Sequence, residues 1–175
     1  GFGRHELFPH SDVDLLILVE RDPVTPVQKE ALSSFLRQLW DAGLRLSQSV
    51  RTPEECCRFH EGNLELTISL LDQRFLVGDE DLFERQLMSF PRFLSGERPR
   101  LARRLAVLAR ERYAKAQSTI YHLEPNIKEY PGGLRDLHLI GWMEKLHRLV
   151  TGAQPAEPTE QLKAAADFIF PARCY

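Results

Sequence analysis

The chain lacks what would place it in a membrane. No apolar run approaches the roughly 18 residues that a bilayer span needs, and no signal peptide is visible. Cysteine is scarce: there are three, and Cys56 and Cys57 are adjacent, a poor start for a disulfide framework. Free thiols in a reducing, cytoplasmic setting are therefore expected. No cysteines stand at C-x-x-C spacing and the six histidines are scattered, which gives a zinc site little support. A net charge of −2 supplies no basic field of the kind that points to nucleic acid. Internal repeats and low-complexity runs are absent too. With 43% hydrophobic and 27% charged residues, 175 residues can bury a core as one ordinary domain or two small ones. There is no initiator methionine, and the sequence stops within an apolar FIFPARCY segment, so a longer protein is expected around it.

What is present concentrates in the first eighteen residues, GFGRHELFPHSDVDLLIL. A glycine-bearing segment (Gly1, Gly3, Arg4) runs through a Pro/His/Ser turn into Asp12 and Asp14, which open an apolar run that predicts a buried strand. Strand side chains alternate, so the two carboxylates share one face, about 6.5–7 Å apart. Two carboxylates repel each other unless cations compensate. Mg²⁺ takes oxygen ligands and keeps several waters, so a carboxylate pair plus substrate phosphates can hold it. Gly1 and Gly3 let backbone N–H groups approach phosphates without a Cβ in the way, and Arg4 adds charge. The pattern suits nucleotidyl transfer, an in-line displacement at the α-phosphorus of a nucleoside triphosphate. The competing reading is an exposed acidic turn.

Beyond this strand, Pro26 suits a helix start and two i,i+4 rows (Val27, Ala31, Phe35, Leu39; Leu32, Leu36, Trp40) predict a wide apolar face over 26–42, stopped by Gly43. Alternation predicts a strand over 44–50. Thr52 and Glu55 form a capping box, followed by helices over 64–76 and 81–89. Residues 91–99, with two prolines and a glycine, predict a domain boundary. A helix over 100–121, an irregular stretch to 133, a helix over 134–150, a Pro-rich linker and a last helix over 159–169 complete the chain. The fold class is α/β (α+β): a small mixed sheet in a domain over 1–90, then a helical domain over 91–175. The Arg and Lys residues of the 100–121 helix read as a solvated face.

Asn126, Lys128 and Arg135 admit two readings. Pro-Gly-Gly ahead of a helix can be a turn that Asn126 holds together. Alternatively, Lys128 and Arg135 lie near a triphosphate, Arg135 in the first turn of a helix whose N-terminus attracts anions.

The opening stretch resembles the signature of the DNA polymerase β-like nucleotidyltransferases, and within them the family of bacterial uridylyltransferases that modify the signal-transduction protein PII. Residues 122–137 (HLEPNIKEYPGGLRDL) resemble the family's motif behind its transferase domain, and 49–52 (SVRT) and 70–74 (LLDQR) fit its intervening segments. The resemblance implies a polymerase β-like sheet and transfer of UMP from UTP to a tyrosine of PII with release of pyrophosphate. Asp12 and Asp14 would be Mg²⁺ ligands, and Gly1 and Gly3 would face the triphosphate. The family commonly has glycine where His5 stands, and it tends to carry a third carboxylate on a later strand. The 44–50 segment has no acid, which leaves Glu54, Glu65 and Asp72 as substitutes, each fitting a helix-surface or capping role better. No His-Asp pair of the family's uridylyl-removing domain occurs, so removal activity and glutamine sensing are not expected here. A transferase of the same fold with another nucleotide or acceptor, or a silent nucleotide-binding module, are the alternatives.

Overall fold

The computed structural model describes residues 1–8, 11–21, 25–59, 64–116 and 126–174. The Pro9 and His10 part of the opening turn, the break at 22–23 and residues 117–125 lie outside them. The chain divides into two compact units, Gly1–Phe93 and Leu94–Tyr175.

In the first unit, β1 (Val13–Leu18) and β2 (Leu46–Arg51) pair in parallel, with Val13 opposite Leu46 and Asp14 opposite Ser47. Parallel neighbours need a crossover, and α1 (Pro26–Asp41) lies between them in the chain. Thr25 caps α1: its hydroxyl accepts from the Gln28 N–H, while Gln28 Oε1 accepts from the Thr25 N–H at 2.9 Å. At the other end, Gly43 (φ 82°) donates to Trp40 O and Leu44 to Leu39 O. This is a Schellman closure that favours glycine at 43. The Thr52–Glu55 capping box opens α2 (Pro53–Cys56) as read from sequence. The α/β class, a small sheet followed by helices, is as expected.

Several details differ from the sequence reading. Leu15 to Leu18 are half-buried rather than buried, because a sheet of two strands leaves much of its surface without neighbouring strands. The wide apolar face of α1 is narrow: Leu36 is buried and Leu32 and Leu39 half-buried, whereas Val27, Phe35 and Trp40 are exposed. The helix expected over 64–76 ends early. α3 covers Leu64–Ser69, a 3₁₀ turn takes Leu70–Asp72, and Gln73 turns extended (φ −67°, ψ 150°). The helices expected over 81–89 and 100–121 are one helix, α4 (Glu80–Lys115), which runs through Pro91 and Pro99. Each proline removes one helical hydrogen bond. The buried positions Leu82, Gln86, Phe90, Leu94, Leu101 and Leu105 nevertheless continue at helical spacing past both, and that burial outweighs the lost bonds.

The core of the first unit comprises Leu36, Cys56, Leu64, Ile68, Leu70, Leu82 and Phe90, with Phe75 packed on Phe83 at 5.4 Å between ring centroids. The second unit contains the rest of α4, α5 (Leu134–Thr151) and α6 (Glu160–Cys174), with Leu94, Leu101, Leu105, Leu134, Leu146 and Ile169 buried. α6 continues five residues beyond the expected end, through Pro171. No described helix is long and apolar enough to cross a membrane.

All three cysteines are free. Burial pushes the Cys56 thiol up to about 12 and raises that of Cys57 as well, and only the thiolate reacts. A thiol reagent should therefore modify exposed Cys174 quickly, Cys57 slowly and Cys56 only after unfolding, a sequence that mass spectrometry of quenched samples reads directly.

Candidate functional site

Asp12 directly precedes β1 and Asp14 is its second residue; both are exposed. Alternation puts them on one face, where the β2 residue in register with Asp14 is exposed Ser47. Among the described residues, no group of three or more His, Cys, Asp or Glu side chains is arranged to hold a metal. The donors on this face are thus two carboxylates, an oxygen set that suits Mg²⁺ when waters and phosphates complete it. Of the possible third acids, Glu54 lies exposed in the first turn of α2 and Asp72 is buried. The side chain of Glu65 lies outside what the structure describes.

The glycine segment is a 3₁₀ turn, Phe2–Arg4, closed by Arg4 N–H to Gly1 O and His5 N–H to Phe2 O, each 3.1 Å. It docks on the segment that follows α3. A Cβ on Gly3 would collide with the Asp72 carbonyl oxygen, and one on Gly1 would stand 2.8 Å from Glu6 O. Both glycines therefore have a packing reason inside the protein. Arg4 donates through Nε to Glu6 at 2.8 Å and through Nη1 to Asp72. Burial opposes the Arg4 charge, but the hydrogen bonds and charges of Glu6 and Asp72 outweigh it and hold the guanidinium above its ordinary pKa. The charges of Asp14 and Asp72 reach the Gly1 nitrogen.

His5 follows in the left-handed region (φ 62°, ψ 26°), where a non-glycine residue is uncommon. Its ring meets Arg74: Nη1 lies 2.7 Å from Nδ1, and the guanidinium carbon sits 4.4 Å from the Phe2 ring centroid. Neither Arg74 nor the docking role of Asp72 is evident from residue type.

In the second unit, residues 126–136 form a tightly bonded turn. Asn126 Oδ1 accepts from the N–H groups of Lys128 (3.1 Å) and Glu129 (3.0 Å), and Leu134 and Arg135 donate their N–H groups to Ile127 O and Lys128 O. Gly132 is left-handed (φ 79°), and a Cβ on Gly133 would stand 2.5 Å from Ile127 O. The first N–H groups of α5 are consequently already used, so cationic side chains, not the helix end, are what this turn offers an anion. Lys128 and Arg135, each 39% exposed, both approach Glu129, at 3.9 and 3.3 Å.

Asp136 locks the turn by accepting from Arg112 Nη2 (2.5 Å), Tyr113 OH (2.8 Å) and Gly132 N–H (2.7 Å). Burial pushes its carboxyl up, but these bonds prevail and hold it below the ordinary aspartate value, and the same bond raises the Tyr113 phenol. A depressed folded pKa stabilises above the unfolded value and loses that contribution as pH falls through the folded one. Asp136→Asn should therefore lower stability by about 1–2 kcal/mol at pH 7. It should also flatten the loss that wild type shows below about pH 4, as followed by thermal melts from pH 7 to 2.

The GlnD PII-uridylyltransferase family model matches residues 100–169. The chain is 43% identical over 155 residues to a bifunctional uridylyltransferase/uridylyl-removing enzyme of Methylococcus capsulatus, covering 88% of the chain and 17% of that protein. It is 42% identical over 149 residues to the enzyme so named from Cupriavidus metallidurans (85% and 17%), and 41% over 175 residues to that of Haemophilus influenzae (98% and 19%). No solved structure matches significantly. The chain spans less than a quarter of the length of these curated relatives. With matches that run from the glycine turn into α6, this chain belongs to the GlnD PII-uridylyltransferase family, a family of nucleotidyltransferases, and corresponds to one portion of its members.

Proposed function

We propose that this portion carries the uridylyl-transfer site, which moves UMP from UTP to a tyrosine hydroxyl of PII and releases pyrophosphate. The observation that carries the reading is the exposed Asp12/Asp14 pair at the start of β1, a few residues after the glycine turn, in a chain of this family. The new bond joins the tyrosine oxygen to the α-phosphorus, the bond from that phosphorus to the bridging oxygen breaks, and the hydroxyl proton is lost. Asp12 and Asp14 would hold Mg²⁺, which when bound neutralises and orients the polyphosphate. Gly3 lets the turn dock on Asp72, and Arg4, through Glu6 and Asp72, fixes it there. Lys128 and Arg135 are the cationic side chains that the turn of the second unit offers an anion. Free thiols suit a cytoplasmic setting.

The test is transfer of label from UTP, marked at its α-phosphate, to PII in the presence of this chain and Mg²⁺. The reading expects labelled PII with the wild-type chain and none with Asp12→Asn/Asp14→Asn. A second reading, a nucleotide-binding module without transfer, draws on the missing cluster of three metal-binding side chains among the described residues. Mg-UTP binding without any label on PII would favour it.

A further inference from the structure

We infer that Arg74, on the segment beneath the glycine turn, is the arginine that binds the polyphosphate of the nucleotide; the inference rests on the nucleotide-binding reading above. Two arginines touch the turn, and their surroundings differ. Arg4 is enclosed by two carboxylates, Glu6 and Asp72, so its immediate surroundings already carry a surplus of negative charge. Arg74 is half-exposed, and among the described residues no carboxylate ion-pairs with it. Its neighbours carry no carboxylate: the Phe2 ring, whose face attracts a cation, at 4.4 Å, and the His5 ring, whose Nδ1 and Nε2 lie 2.7 and 3.0 Å from Arg74 Nη1.

Its Nε is buried without a hydrogen-bond partner. The guanidinium thus bears part of a desolvation cost that no anion in the chain offsets. Stacking on Phe2 and the bond to His5 fix the guanidinium at both ends of the Phe2–Arg4 turn. The Gly1 nitrogen of that turn is within electrostatic reach of Asp14. A planar fork held in place before its ligand arrives is suited to phosphate oxygens, which it can engage in two bonds at once. The anion recognised is a di- or triphosphate group, independent of the base.

Inorganic pyrophosphate, which has neither base nor ribose, isolates this contact. It is titrated calorimetrically into the wild-type chain, Arg74→Gln and Arg74→Lys without divalent metal, with thermal melts to confirm folding. Arg74→Gln should bind at least about tenfold more weakly, and Arg74→Lys, which keeps the charge and loses the fork, should fall between. Folded variants that bind like wild type, or a wild-type chain that binds no pyrophosphate, would overturn the inference. If Arg74→Gln does not fold, Arg74→Lys decides. Because the titration is metal-free, its outcome is separate from that of the Asp12/Asp14 pair, which Mg-UTP binding by Asp12→Asn/Asp14→Asn tests on its own.

Discussion

Gly3→Ala should lower the stability of the first unit by about 3 kcal/mol, a fall in melting temperature on the order of 10–20 °C. The added methyl meets the carbonyl oxygen of Asp72, a backbone atom that cannot rotate away as a side-chain end would. Either the Phe2–Arg4 turn lifts or the Leu70–Asp72 turn moves, and both routes pull Arg4 from Asp72 and strand a buried carboxylate. Nucleotide affinity should fall with stability, because the displaced turn is the one that holds Arg74. Gly96→Ala provides the contrast. Gly96 lies inside α4 with nothing within 4 Å of a new Cβ, and alanine there should add about 0.5–1 kcal/mol. Circular dichroism melts of both variants measure the pair; equal, small effects would contradict the docking of the turn.

Replacing Asp12 or Asp14 by asparagine should have the opposite profile. Both side chains are exposed, and two carboxylates on one face repel each other when no cation lies between them. Each single variant should therefore melt no lower than wild type. UMP transfer should nevertheless fall by about a thousandfold or more, since neutralising the polyphosphate is worth several kcal/mol in the transition state. Stability kept while activity is lost is the mark of a residue retained for chemistry. Melts beside initial-rate transfer assays read both quantities, and a parallel loss of stability and activity would assign these aspartates to the fold instead.

Local rules were legible in the sequence. Pro26, the Thr52–Glu55 box and Gly43 each act within a few residues, so residue type and spacing determine them. Features set by distant packing were not. The continuity of α4 depends on burial that continues past Pro91 and Pro99, which reading those prolines as breaks overlooks. Gly3 was read as making room for phosphate, but the space it leaves is taken up by a backbone carbonyl 69 residues away in the chain. Arg4 was read as added charge but pairs with Glu6 and Asp72, whereas Arg74, in a segment noted only for its resemblance, has no carboxylate ion pair among the described residues. His5 has a left-handed backbone, a conformation that glycine adopts without strain and that no residue-type rule marks at a histidine.

The central claim is that Asp12 and Asp14 form a metal site for a nucleoside triphosphate. Calorimetric titration of Mg-UTP into the wild-type chain and Asp12→Asn/Asp14→Asn tests it most directly. Binding should weaken by at least about 100-fold in the double variant and should weaken similarly in wild type when chelator removes the metal. Equal affinity of the two proteins for Mg-UTP would contradict the account.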